Sequence, residues 1–219
     1  MTMALATVKR ILKDQDTVVL GSAPISEEAR AFLASSDFSR LISVNGGISH
    51  TDRKPDIAVL NSREYDDILY TDLKKWPEER KRLHEMMMAQ FSRREIRHLV
   101  LLPKSKSTLQ TTAKLNSQNT SWRALTVIPP HQKTEIGCKA GVKSFHIAFN
   151  ISAGLFGACL ALTQGASSVT LCGFSFYDGY HYLPDAYAGH RMHLDQDRTA
   201  LNDLLLVHKD RLQVLSLGG

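Results

Sequence analysis

The sequence predicts an α/β fold: a single Rossmann-like, doubly wound, mostly parallel sheet with a short lid segment near its end. Three observations carry this. Short apolar runs recur along the chain and alternate with helical patterns. Most of these runs are continuously apolar, the pattern of strands covered on both faces. The composition, 43% hydrophobic and 22% charged, is that of an ordinary globular chain.

The elements follow in order. Strands are expected at 17–20, 41–44, 56–60, 97–102, 125–128, 168–172 and 212–215. Ser26 is an N-cap, with Glu27 and Glu28 favouring the first turn of a helix behind it. Pro77, followed by Glu78 and Glu79, opens a long helix to about residue 94. The segment 152–163 is apolar or small nearly all round, which marks a central, buried helix. Asp195 or Asp197 begins the last helix, with Leu201, Leu204, Leu205 and Val207 on its inner face. The polar stretch 105–121 and the stretch 129–142, with turn signals and little periodicity, are read as variable connections. No repeat or Gly/Ser linker divides the chain, so 1–219 is expected to be one domain, with a lid at about 174–192.

Charge and cysteine usage narrow the class. The net charge is +5, which suits a phosphate-bearing or anionic substrate, or an anionic membrane surface. The densest basic stretch, 80–97, is interleaved with Glu85, Glu95 and three methionines. It reads as a solvated helix face, and no nucleic-acid partner is expected. Cys138, Cys159 and Cys172 are too few and too scattered for a disulfide framework or a zinc knuckle. Cys159 and Cys172 lie in apolar runs and read as small core residues. The first residues lack a basic n-region and a long apolar core, so no secretory leader is expected. No apolar run approaches the roughly 20 residues needed to cross a bilayer. A cytoplasmic protein, with peripheral contact at an inner membrane allowed by its charge, fits these features.

Five clusters could carry chemistry. Gly21-Ser22-Ala23-Pro24 follows the first strand and precedes a helix, where a backbone can approach a phosphate or ribose. It lacks the three-glycine dinucleotide fingerprint, and no Walker-type lysine loop is present. Asn45-Gly46-Gly47 and Asn61-Ser62 each close a predicted strand, and an amide side chain can both donate and accept. Taken singly these are ordinary turn residues; three polar strand ends in succession point to a shared cleft. Asn150-Ile151-Ser152-Ala153-Gly154 starts the buried helix, where Asn150 or Ser152 could cap and the amides could hold a carboxylate or phosphate. The fifth cluster runs from Gly173-Phe174-Ser175-Phe176-Tyr177 through Tyr180, His181, Tyr182 and Tyr187 to His190. Tyrosine hydroxyls can hydrogen-bond a leaving phosphate without a metal, and a neutral histidine can take a proton near pH 7.

In this order, the clusters resemble the bacterial sialyltransferases of glycosyltransferase family 42. That family has a Gly-x-Gly-Pro turn after its first strand, which Gly21 to Pro24 resembles. Its second and third strands end in Asn, matched by Asn45 and by Asn61-Ser62. A Thr-Ser-Gly opens its central helix, where Ser152-Ala153-Gly154 stands. A strand ending Gly-Ile-Asp-Phe-Tyr corresponds to Gly173 through Tyr177, and a closing Tyr-x-Gly-His to Tyr187 through His190. The chain departs from the pattern at Asn150, where the family carries Arg, at Ala153, where it carries Ser, and at Ser175, where it carries an acid. Lys143 and Arg191 are the cations considered as replacements.

The resemblance implies an inverting, metal-independent glycosyltransferase of cell-surface glycan biosynthesis, with no cofactor. It would move sialic acid or a related, Kdo-like acid sugar from a CMP-activated donor to a glycan hydroxyl. His190 would be the general base, and Tyr177 with Tyr180 or Tyr182 would face the departing phosphate. Gly21, Ser22, Ala23, Asn45 and Asn61 would line the donor site. Ser152, Ala153, Gly154, Gly173, Phe174, Ser175 and Tyr187 would complete it. Homo-oligomerisation is open. Two other readings stand beside this one. A pterin pyrophosphokinase-like phosphotransferase would need magnesium, for which Asp56 and Asp178 are the carboxylates considered. A non-catalytic nucleotide-binding protein would keep the cleft and lose the chemistry.

Overall fold

The computed structural model of the chain describes residues 3–35, 37–61, 96–103, 122–176 and 193–215. The elements in chain order are α1 (Met3–Leu12), β1 (Asp16–Leu20), α2 (Glu27–Ser35), β2 (Arg40–Val44), a 3₁₀ helix (Asn45–His50) and β3 (Ile57–Asn61). They continue with β4 (Ile96–Leu102), β5 (Trp122–Val127), α3 (Pro130–Ala140), α4 (Phe145–Asn150), α5 (Ala153–Thr163), β6 (Ser168–Cys172), α6 (Leu194–Val207) and β7 (Leu212–Leu215).

Among the described residues the strands form one seven-stranded sheet in the order β5-β4-β3-β2-β1-β6-β7. Every pairing is parallel. All seven strands coincide with the runs read from the sequence, to within three residues at their ends. Their burial explains this. Val18, Val19 and Leu20 are all fully buried, so consecutive side chains on opposite faces must both be apolar. Val19, Ile42, Val44, Val59 and Val100 join α1, α3, α5 and α6 in one core. On the other face, Val18, Leu20 and Leu41 pack against Ala29 and Leu33 of α2. Further along that face, Ala58, Leu60 and Leu101 pack with Ile48 of the 3₁₀ helix.

The helix ends follow local chemistry. Ser26 caps α2, its hydroxyl accepting from the Ala29 amide at 3.1 Å. Helix α5 is buried along nearly all its length, and a Cβ at Gly157 would stand 3.0 Å from Val19 and 3.2 Å from Val44. The lack of side chain at 157 thus lets α5 lie close on the centre of the sheet.

Several expectations are corrected. The segment read as an irregular connection, 129–142, contains α3. Pro130 occupies its first turn, and Gly141, at φ 115°, ends it with its amide on the Cys138 carbonyl. The polar, Gly-containing interior of α3 hid the period. Asn150 does not cap the central helix but ends α4, its side-chain Nδ2 donating to the His146 carbonyl at 2.9 Å. Val207, expected on the inner face of α6, is 56% exposed and has Gly141 for a neighbour. Helix α1 and the 3₁₀ helix were not expected. The expected helix 77–94 and the polar stretch 105–121 lie outside the described residues.

Candidate active site

The topology selects one place on the sheet. From β1 the chain winds outward through β2, β3 and β4 to β5, then returns to place β6 on the other side of β1. The β1/β6 seam is therefore the topological switch point, and ligands of open α/β sheets bind outside the carboxyl ends of the strands there. Gly21 follows β1, and Gly173 follows β6.

The two exits touch through backbone. The Gly21 amide donates to the Cys172 carbonyl at 2.8 Å, and the Ala23 amide to the Gly173 carbonyl at 3.0 Å. A Cβ on Gly21 would lie 2.4 Å from the Gly173 oxygen. Gly173 itself has φ +69°, the left-handed region that glycine enters without penalty. No side chain fits at either position, so the two strand exits meet as bare peptide.

The walls are built outward from this meeting. Asn45 takes a left-handed φ of 47° at the end of β2, which asparagine tolerates. Its side-chain oxygen accepts the Asn61 amide at the end of β3, at 3.1 Å. The 3₁₀ helix then folds over the β1 exit, and a Cβ on Gly47 would stand 2.2 Å from the Leu20 carbonyl oxygen. On the opposite wall Ser152 caps α5, its hydroxyl accepting from the Leu155 amide at 3.2 Å. Gly154 faces the Phe174 ring, and a Cβ there would come within 2.8 Å of it. Phe174 stacks on Phe176 with ring centroids 5.8 Å apart and planes at 10°.

Contacts thus join Asn61 to Asn45, and Gly47 through Gly21, Gly173 and Phe174 to Gly154. Ser22, Asn45, Asn61, Ser152 and Ser175 are half-buried polar residues beside these contacts, between the buried Ala23, Ala153 and Phe174. Amides, hydroxyls and a helix N-terminus of this kind suit a phosphate, ribose or base edge. Tyr177, Tyr180, Tyr182, Tyr187 and His190 lie outside the described residues, as does most of the expected lid.

Two groups at the site escaped the sequence reading. His50, at the end of the 3₁₀ helix, has its pKa pushed below the ordinary value. Burial is the main cause, Arg30 adds to it, and hydrogen bonds to the Ser22 and Ala23 backbone oppose it. Its histidine identity, five residues after a strand-ending Asn, was the available signal. Asp197, read only as a helix opener, accepts the Ser152 amide on its carboxylate at 2.8 Å. Lys143, considered as a replacement cation, pairs with Asp203 at 3.5 Å instead. Asp56, considered for a metal, sits at the amino end of β3, where it accepts the Leu41 amide at 3.0 Å and faces Arg40 and Arg97. That is the end of the sheet remote from the cleft.

Comparison of this fold with solved structures decides its type. A complex of the sialyltransferase CstII from Campylobacter jejuni with the substrate analogue CMP-3FNeuAc matches with a TM-score of 0.52 at 14% identity. The match covers 92% of this chain and 81% of that one. The fold is that of the Campylobacter sialyltransferases. The monofunctional alpha-2,3-sialyltransferase Cst-I from the same organism matches with a TM-score of 0.54 at 14% identity, covering 93% of this chain and 76% of that one. CstII in complex with a trisaccharide acceptor and CMP gives a TM-score of 0.52 at 14% identity, over 91% and 80%. No protein-family profile matches the chain, and no curated protein matches it in sequence. The likeness is thus one of fold, with very little shared sequence.

Proposed function

We propose that this chain is a glycosyltransferase that takes a sugar from a CMP-activated donor and attaches it to a glycan hydroxyl. The observation that supports this reading is the meeting of Gly21 and Gly173 at the β1/β6 switch point, with the Asn45–Asn61 bond at the neighbouring strand ends, in a fold like that of the sialyltransferases. Solved structures of that fold hold CMP, a CMP-sugar analogue and an acceptor trisaccharide, which supports ligands of that chemistry for this chain. The phosphotransferase reading is not favoured, since Asp56 is engaged at the far end of the sheet.

The chemistry follows from the residues assigned. Displacing a phosphate from an oxocarbenium-like centre requires stabilised leaving-group charge and an activated hydroxyl. Tyr177, with Tyr180 or Tyr182, supplies donors to the phosphate, so no metal is needed. His190 takes the proton from the acceptor hydroxyl, a role worth about 10²–10⁴-fold in rate. Attack from the face opposite the phosphate inverts the anomeric centre. Gly21, Ser22, Ala23, Asn45 and Asn61 hold the nucleotide, with Ser152, Ala153, Gly154, Phe174, Ser175 and Tyr187 around the sugar. One domain carries both substrates. The donor sugar is sialic acid or a Kdo-like acid.

The deciding experiment is a calorimetric titration with CMP in the presence of a chelator, followed by transfer assays with CMP-linked sialic acid and CMP-linked Kdo. Chelator-insensitive CMP binding and transfer of one sugar are expected. Binding of ATP with magnesium, and none of CMP, would overturn the reading.

A further inference from the structure

The 3₁₀ helix is fastened at both of its ends. At its start, Asn45 accepts the Asn61 amide from the end of β3. At its end, the His50 ring is hydrogen-bonded to the backbone of Ser22 and Ala23, in the turn that follows β1. Between them, a Cβ on Gly47 would stand 2.2 Å from the Leu20 oxygen and 2.8 Å from the Gly21 oxygen. The helix is thus pressed onto the β1 exit, and His50 reaches from it to the turn.

Peptide geometry explains why a donor belongs at this place. The Ser22–Ala23 peptide is trans, so its N–H and C=O point in opposite directions. The Ala23 amide donates toward β6, to the Gly173 oxygen at 3.0 Å. The Ser22 carbonyl therefore points away from β6. The 3₁₀ helix follows β2, which lies on the other side of β1 from β6. His50 ends that helix, where a side chain can meet the carbonyl. Ser22 and Ala23 act on the ring as acceptors, since both favour its protonated form. Burial and Arg30 of α2 favour the neutral ring and prevail. The bond is then that of an uncharged N–H, which an amide side chain can imitate. The next peptide, Ala23–Pro24, has no N–H with which to be fastened in the same way.

The turn held like this is the one assigned to the nucleotide. Gly21 gives it backbone freedom, because no Cβ restricts its conformation. A turn left loose must be ordered when its ligand binds, and that ordering weakens affinity. We propose that His50 is a positioning residue for the nucleotide, holding the Ser22–Ala23 peptide from the side opposite Gly173 so that the turn after β1 is set before the donor arrives. The inference rests on the reading of that turn as part of a CMP site.

The test compares His50→Ala, His50→Leu, His50→Asn and His50→Gln with the wild type in calorimetric titration with CMP and in thermal melting. Leucine fills much of the ring's space without a donor. Asparagine and glutamine present an amide donor at the reach of Nδ1 and of Nε2. The alanine and leucine variants are expected to raise the Kd for CMP about 10-fold. At least one amide variant should return it to within about 3-fold of the wild type. A leucine variant that binds CMP as tightly as the wild type would overturn the inference, because packing alone would then suffice. Folded amide variants that both bind no better than the leucine one would overturn it as well. A wild-type protein that binds no CMP would overturn the function itself, and this inference with it.

Discussion

The side-chain oxygen of Asn45 accepts the backbone amide of Asn61 at 3.1 Å, tying the end of β2 to the end of β3. Asn45 can do so because its backbone sits at φ 47°, which turns the chain into the 3₁₀ helix over the β1 exit. Replacing it with alanine removes the acceptor and leaves a Cβ-bearing residue in the left-handed region. Asn45→Ala should cost about 1–3 kcal/mol in unfolding free energy and weaken CMP binding. Asn45→Gly keeps the backbone at ease and should cost less. Chemical denaturation and calorimetry of the two variants check the ranking.

Gly21→Ala places a methyl group 2.4 Å from the Gly173 oxygen, with the Phe174 ring also within 3.3 Å. The nearest atom is backbone and cannot swing away. A loss of about 1–3 kcal/mol is expected, with CMP affinity falling as the two strand exits are forced apart. A melting temperature equal to that of the wild type would show that the seam opens without cost.

The thiols differ sharply. Burial pushes Cys159 and Cys172 up to about 12, while Cys138 is exposed. Under native conditions at pH 8, a thiol reagent should label Cys138 alone and leave CMP binding intact. All three should label in denaturant. Rapid native labelling of Cys172 would mean that β6 opens at the seam.

His98 lies buried between β4 and β5, with Nε2 and the Thr126 hydroxyl 2.7 Å apart. Burial holds its pKa below the ordinary 6.5. The unfolded chain therefore takes up a proton first as pH falls. The stability this histidine contributes is full above about 6.5 and is lost as pH drops toward the lowered folded value. His50 acts in the same direction. Denaturation midpoints should fall from pH 7.5 to 5, and His98→Gln should flatten that fall.

His190→Ala should abolish transfer with CMP affinity nearly unchanged, because a base on the acceptor side need not touch the nucleotide. Tyr177→Phe should lower kcat by removing one donor to the leaving phosphate. Parallel kinetics and titration separate these from binding defects; full transfer by the histidine variant excludes it as the base.

The strands were legible because a doubly covered parallel sheet needs unbroken apolar runs, such as Val18-Val19-Leu20, and little else imitates them. The strand-end glycines and asparagines stood out for the same reason, as polar stops to apolar segments. Helix α3 was missed although Pro130 and Gly141 bracket it, because its interior is polar and contains a glycine. Helix α4, six residues long, offers too few turns for any period to register. Asp197 and Arg198 illustrate a deeper limit. Their partners, Ser152 and Phe176, are 45 and 22 residues away, and no local pattern reports which carboxylate will meet which amide.

The pairing of β1 with β6 has a consequence for how the protein is made. Asp16 and Ser168 meet across 152 residues of chain. While the protein is being synthesised, β1 has its β2 neighbour early and must wait on its other edge until residues 168–172 leave the ribosome. Contacts this remote form slowly, and an open apolar edge invites the wrong partner in the meantime. The same seam that will form the cleft is the part of the sheet most exposed to misassembly, and a chain released short of Cys172 would have neither.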